Sequence, residues 1–185
     1  MATDEKMQKE FMARIKKESQ NMAALINDIL MVSRLETKEA EVVITDIRIC
    51  PLINELIASL KPLAAEYDVS IEMSCKPIVI KANYGHMKEL FNNLITNAIK
   101  YNKPKGTIKI NVTVEGNDAL FVIEDTGVGI PEESRPRIFE RFYRVDKGRS
   151  KKMGGTGLGL SIVKHIVNYY GGSIKLESTL GVGSK

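Results

Sequence analysis

Between Asp4 and Glu36 nothing interrupts a helix, because the stretch holds neither proline nor glycine. An interior proline would remove a backbone donor, and glycine would cost about 1 kcal/mol relative to alanine. Phe11, Ile15, Met22, Leu25, Ile29 and Val32 fall on heptad core positions, with Glu18 as the misfit, and Ile26 and Leu30 widen the stripe. A helix this long, apolar along one seam, has to lay that seam against a partner. It either packs on its own domain or joins an intermolecular bundle. The bundle is the favoured expectation, since the seam is long and no second long helix follows.

After a short polar break at 37–41, elements alternate in a different rhythm. A strand is expected over Val42–Ile47. Pro51 then opens a helix to about Glu66, with Leu52, Leu56, Leu60 and Leu63 on one face. Strands are expected at Val69–Met73 and Ile78–Lys81, a strong helix at Gly85–Tyr101, and a hairpin formed by Thr107–Val114 and Ala119–Glu124. The stretch 130–155 reads as loop with a short helical piece near Arg137–Phe142. A helix over Leu158–Tyr170 and a strand over Ser173–Glu177 follow. Helices and a largely antiparallel sheet in this order predict an α+β fold, a two-layer α/β sandwich, preceded by the one long helix.

The chain has 185 residues, enough for one good core and an appendage. No apolar run is long enough to cross a bilayer, and no signal-peptide pattern opens the chain. The net charge of +4 suits a polyanionic ligand without implying nucleic acid. Cys50 and Cys75 form no metal-ligand spacing and are expected to be free thiols in a reducing compartment.

Three stretches carry chemistry. In Glu124–Ile130, EDTGVGI, Asp125 closes an apolar run and is followed by Gly127 and Gly129. A carboxylate beside such a turn can accept a hydrogen bond from the exocyclic amine of adenine and would repel the carbonyl of guanine. An ordinary turn has the same residues. In the helix FNNLITNAIKYN, Asn93, Asn97 and Lys100 share one face beside the core stripe of Leu90, Leu94 and Ala98. Mid-helix asparagines are poor helix formers, so either these are surface amides or their oxygens ligate a hard cation such as Mg²⁺, with Lys100 near the same phosphates. In Gly154–Val163, GGTGLGLSIV, Gly155, Gly157 and Gly159 lead into an apolar helix, where bare N–H groups can meet an anion. Between the last two lies a basic loop with Arg135, Arg137, Arg141, Arg144, Lys147, Arg149, Lys151 and Lys152. It reads as a solvated charge run or as a mobile cationic lid over a triphosphate, with Phe139, Phe142 and Tyr143 as anchors.

Taken together and in this order, these stretches resemble the catalytic, ATP-binding part of bacterial sensor histidine kinases. FNNLITNAIKYN is similar to the N box of that family, EDTGVGI to its G1 box, RIFERFYRVD to its F box and GGTGLGLSIVKHIV to its G2 box. The terminal GVGSK resembles the start of a third glycine motif, and the first helix, ending in LINDILMVSRLE, resembles the second helix of the dimerisation domain. The resemblance implies a Bergerat-type sandwich of a mixed sheet and three helices over residues 41–185, with the last strand cut short. Residues 1–40 would belong to the dimerisation domain. It implies ATP and Mg²⁺ as cofactors. Asp125 would take the adenine amine, with Gly127, Gly129 and Ile130 beside it. Asn93 and Asn97 would hold Mg²⁺, Lys100 and Tyr101 would line the nucleotide, and Arg144 would reach toward the terminal phosphate. Gly155, Thr156, Gly157, Leu158 and Gly159 would wrap the phosphates. Asn93, Lys100 and Arg144 would serve catalysis.

The implied reaction moves the γ-phosphoryl of ATP to a histidine on the first dimerisation helix. The implied partners are that acceptor helix, a response regulator and a second copy through the N-terminal helix. The implied location is the cytoplasmic portion of a membrane-anchored sensor, with membrane contact only through absent upstream segments. The chain departs from the pattern in its histidines. His86 and His165 are the only two, and neither sits in an acceptor context. The expectation is therefore a fragment that binds Mg-ATP without phosphorylating itself. The hydrolytic relatives of this fold, such as gyrase, carry a glutamate where this chain has Asn93, and Glu89 lies one turn earlier. Negligible ATPase activity is expected. A non-catalytic nucleotide-binding or dimerisation module is the remaining alternative.

Overall fold

A computed structural model describes residues 2–37, 42–145 and 156–185. The uninterrupted first stretch forms one helix, α1, Ala2–Thr37. Of its seam, Phe11, Ile15, Met22 and Ile29 are exposed, while Leu25 and Met31 pack against the core of the remaining chain. The side chain of Val32 lies outside the described residues. The end of α1 lies against the last helix of the fold.

The rest builds two layers. β1 (Thr45–Arg48) and β3 (Val79–Ala82) pair antiparallel as a two-stranded ladder. The main sheet has the order β2-β4-β5-β7-β6, from β2 (Val69–Cys75), β4 (Gly106–Glu115), β5 (Asp118–Asp125), β6 (Ser178–Thr179) and β7 (Gly183–Ser184). Only the β2–β4 pair is parallel. Parallel neighbours need a crossover, and here it contains β3 and the helix α3 (Tyr84–Lys100). With α2 (Ile49–Glu66) and α4 (Gly159–Tyr169), α3 covers one face of the sheet. Strand alternation sets that face: Ile108, Ile110 and Val112 of β4 are buried while Lys109 between them is exposed. Phe91, Ile95 and Ile99 of α3 are fully buried over them, with Phe91 edge-on to Phe121 of β5 at 5.1 Å. The expected α+β sandwich is what forms.

Three expectations need correction. Cys50 and Cys75 are not free thiols but a disulfide, with their Cα atoms 5.9 Å apart. Linear spacing hides this. The chain reverses between α2 and β2 through Asp68, whose φ is 54°, so the end of β2 returns beside the start of α2. The stretch Ser173–Glu177 does not form a strand, which begins instead at Ser178. Only Glu177 of that stretch pairs, exchanging backbone bonds of 2.9 and 2.7 Å with Lys185. Finally, Arg137–Phe142 is a run of tight turns after a 3₁₀ turn at Glu132–Ser134. Arg137 N–H donates to Ser134 and Glu140 N–H to Arg137, each three residues back. Phe142 N–H leaves the local chain and donates to Gly157 O at 2.9 Å.

Candidate functional site

The helix α3 is the spine of the site. Asn83 caps its start, accepting from His86 N–H at 3.1 Å. Its apolar face, from Met87 to Ile99, is seated in the core. That leaves Asn93, Asn97 and Lys100 half-buried along the flank. Burial lowers the pKa of Lys100 below the usual lysine range, because a charged ammonium loses solvation there.

At the C-terminal end of α3 the chain meets the EDTGVGI turn. Val128 N–H donates to Tyr101 O at 3.0 Å. Asp125, at the end of β5, accepts from Gly127 N–H through Oδ1 at 2.8 Å. Burial raises the pKa of Asp125. The backbone N–H groups of Gly127 and Ser184 oppose that rise, and the charge of Glu124 adds to it. Gly129 has φ of 67°, and a side chain there would put Cβ 2.1 Å from Thr179 O. Its smallness therefore serves packing against β6 as well as any ligand.

On the other side of α3 lies the glycine-rich stretch. A Cβ on Gly159 would stand 2.5 Å from Asn93 Oδ1, so only glycine lets the start of α4 come this close to the asparagine. Asn93 Nδ2 points the other way and donates to Glu89 O at 3.0 Å and Glu89 Oε1 at 2.8 Å. Glu89 is half-buried, and burial raises its pKa, with the Asn93 hydrogen bond opposing and the charge of Asp28 adding. The Leu158 side chain is in the core, 1% exposed, and its backbone is engaged within the protein: N–H donates to Thr156 Oγ1 at 3.3 Å and the carbonyl accepts from Ser161 Oγ at 2.8 Å. Thr156 is turned toward α1: its hydroxyl donates to Asp28 Oδ2 at 3.1 Å. Gly157 O holds Phe142, as described above. Gly155 lies outside the described residues.

The basic stretch divides. Arg135 Nε donates to Ile130 O at 3.5 Å. Arg137 pairs with Glu140 at 3.3 Å and stacks on Tyr143 at 4.3 Å. Arg141 meets His165 Nε2 at 3.3 Å. These three are engaged with protein, not held over a cleft. Arg144 differs: its Nε and Nη2 are buried and find no partner among the described residues. A buried guanidinium with bare donors is costly unless an anion meets it. Lys147, Arg149, Lys151 and Lys152 lie outside the described residues.

Two contributors had little signal in the sequence. Asp28 is one of a polar pair, with Asn27, between apolar residues of the seam. The hairpin β6–β7 holds the EDTGVGI loop: Ser178 Oγ accepts from Ile130 N–H at 2.9 Å, and Gly181 N–H donates to Val128 O at 2.8 Å. The repeated glycines of the hairpin are the only hint.

Both histidines meet side-chain partners, His86 at Tyr170 and His165 at Arg141. Tyr170 OH accepts from Asn83 N–H at 2.9 Å and lies 2.9 Å from His86 Nδ1. Burial lowers the pKa of His86. Among the described residues no group of three or more His, Cys, Asp or Glu gathers for a metal. What the site does hold is the oxygen of Asn93, turned toward the Gly159 backbone, and Asn97 one turn on. Two neutral amide oxygens fit a hard dication whose charge is balanced by phosphates. A cavity of about 250 Å³ elsewhere, lined by Asp46, Arg48, Glu55 and Tyr84 among others, has none of these features.

The pattern matches known proteins. Residues 82–185 match the family model described as histidine kinase-, DNA gyrase B- and HSP90-like ATPase. The chain is 38% identical over 176 residues to the sensor histidine kinase RppB of Synechocystis sp., covering 92% of this chain and 38% of the relative. It is 32% identical over 181 residues to the circadian input-output histidine kinase CikA of Synechococcus elongatus, covering 96% of this chain and 24% of the relative. The chain thus spans well under half the length of these curated relatives. Full-length ShkA, solved in complex with AMPPNP, superposes with a TM-score of 0.76 at 28% identity, covering 90% of this chain and 35% of that one. With the family model spanning more than half the chain and the glycine turns of both boxes gathered on α3, this chain belongs to the histidine kinase-, DNA gyrase B- and HSP90-like ATPase family.

Proposed function

We propose that this chain is the ATP-binding catalytic part of a two-component sensor histidine kinase. One observation carries the proposal: α3 presents Asn93 to the Gly159 turn and Tyr101 to the Asp125–Ile130 turn. An acid for a purine, amides for a cation and bare backbone for phosphates then border one helix. Asp125 would accept from the adenine amine. Asn93 and Asn97 would hold Mg²⁺, with Lys100 beside the phosphates and Arg144 completing its donors on the terminal one. The ion would offset the charge on the phosphates, and the protein would supply positioning, which is most of what phosphoryl transfer requires.

In the intact system the acceptor would be a histidine on a separate dimerisation helix, and the next partner a response regulator. The exposed seam of α1 supports pairing with a second copy. No described helix is long and apolar enough to cross a membrane, and on this reading the chain works on the cytoplasmic side of its sensor. Calorimetric titration with Mg-ATP tests the proposal. Binding is expected for the parent chain, with GTP weaker and Asp125→Ala weaker by about thirtyfold, the scale of one hydrogen bond to a charged group. Absence of Mg-ATP binding by the folded parent would sink it.

A further inference from the structure

Glu89 and Asn93 are four residues apart on α3 and share one face. The Asn93 amide nitrogen has two acceptors on that side, the Glu89 backbone carbonyl at 3.0 Å and the Glu89 carboxylate at 2.8 Å. Both are oxygens, so only the NH₂ end of the amide can face them. A flipped amide would set three oxygens together. The backbone carbonyl satisfies one N–H and the carboxylate the other, which leaves the amide one way to sit. In that setting Oδ1 is turned toward the Gly159 turn.

We infer that Glu89 is a positioning residue for the cation site: by holding the Asn93 NH₂, it keeps the amide oxygen directed at the metal. The inference rests on the reading of Asn93 as a Mg²⁺ ligand. The sequence position of Glu89 suggests a failed general base one turn too early. The hydrogen bonding gives it a different task, which is to orient a ligand without touching substrate. Partners of this kind typically change metal affinity by about 10- to 100-fold when removed.

The test uses the full chain. ATP binding is titrated by calorimetry in EDTA and across a Mg²⁺ series, for the parent, Glu89→Met, Glu89→Ala and Glu89→Gln. Methionine keeps the length and removes the acceptor, alanine is the second acceptor-free variant should methionine misfold, and glutamine keeps an accepting oxygen. Both acceptor-free variants should need about tenfold more Mg²⁺ while binding metal-free ATP like the parent. Glu89→Gln should restore the parent's Mg²⁺ dependence. In ¹⁵N spectra the Asn93 side-chain NH₂ should exchange slowly in the parent and Glu89→Gln and faster in the other two. A folded Glu89→Met or Glu89→Ala with the parent's Mg²⁺ dependence overturns the inference alone. A parent that binds no nucleotide overturns the reading of the cleft and this inference with it.

Discussion

Arg144 is where folding and binding pull in opposite directions. Its buried Nε and Nη2 find no partner among the described residues, and an unsatisfied buried donor costs about 1–3 kcal/mol. We predict that Arg144→Met raises the thermal stability of the nucleotide-free chain while weakening ATP more than ADP. Paired melting and calorimetry would check both signs. Asp125 makes a pH prediction. Its pKa is raised in the fold, so the folded state holds a proton at pH values where the unfolded chain has lost it. Stability contributed by this group therefore falls as pH rises from the ordinary carboxylate value through the raised one, and is level beyond it. ATP affinity should move the other way and weaken as pH drops through the raised value, because the amine needs an ionised acceptor. Titrations at several pH values should show this acid limb in the parent and a flat one in Asp125→Asn.

Two links brace the fold, and one of them backs the site. The disulfide ties the first turn of α2 to the end of β2 across a separation of 25 residues. Closing a loop of that size restrains the unfolded chain by about 3 kcal/mol. We predict that dithiothreitol lowers the melting temperature of the parent and leaves Cys50→Ser/Cys75→Ser, already lowered, unchanged. The β6–β7 hairpin is held through Ser178, whose hydroxyl meets Ile130 N–H and donates toward Gly183 O at 3.0 Å. Ser178→Ala should weaken ATP binding by several-fold with little change in global stability, because the turn beside Asp125 loses its backing. Elements were legible in the sequence wherever periodicity was strong, as for α1, α3 and the β4–β5 hairpin. Ser173–Glu177 shows the limit. Its alternation resembles a strand, but the ladder there is supplied by Lys185, and no local pattern encodes that pairing. The disulfide was hidden for the same reason: only the reversal at Asp68 brings the two sulfurs together.

For the molecule as a whole, α1 is the unfinished part. Phe11 and Met22 are more than 60% exposed on one helix, while the end of α1 is tied to the core through Leu25, Met31 and the Asp28–Thr156 bond. We predict a dimer in sedimentation that Phe11→Glu/Ile15→Glu converts to monomer without loss of ATP binding. The residue types of the site were readable, because asparagines inside a helix and glycines before one are costly without a reason. Their supports were harder to read: Glu89 lies one turn from Asn93 but resembles a misplaced base, and Asp28 and Ser178 reach the site only through the fold.

The Ser178 hairpin has a consequence for the birth of the molecule. Val128 and Ile130 leave the ribosome long before the residues that bind their backbone, so the turn after Asp125 emerges without its scaffold. Ser178 and Gly181, translated about fifty residues later, close it. Nascent chains should therefore acquire nucleotide affinity abruptly once this hairpin has emerged and not in step with their length.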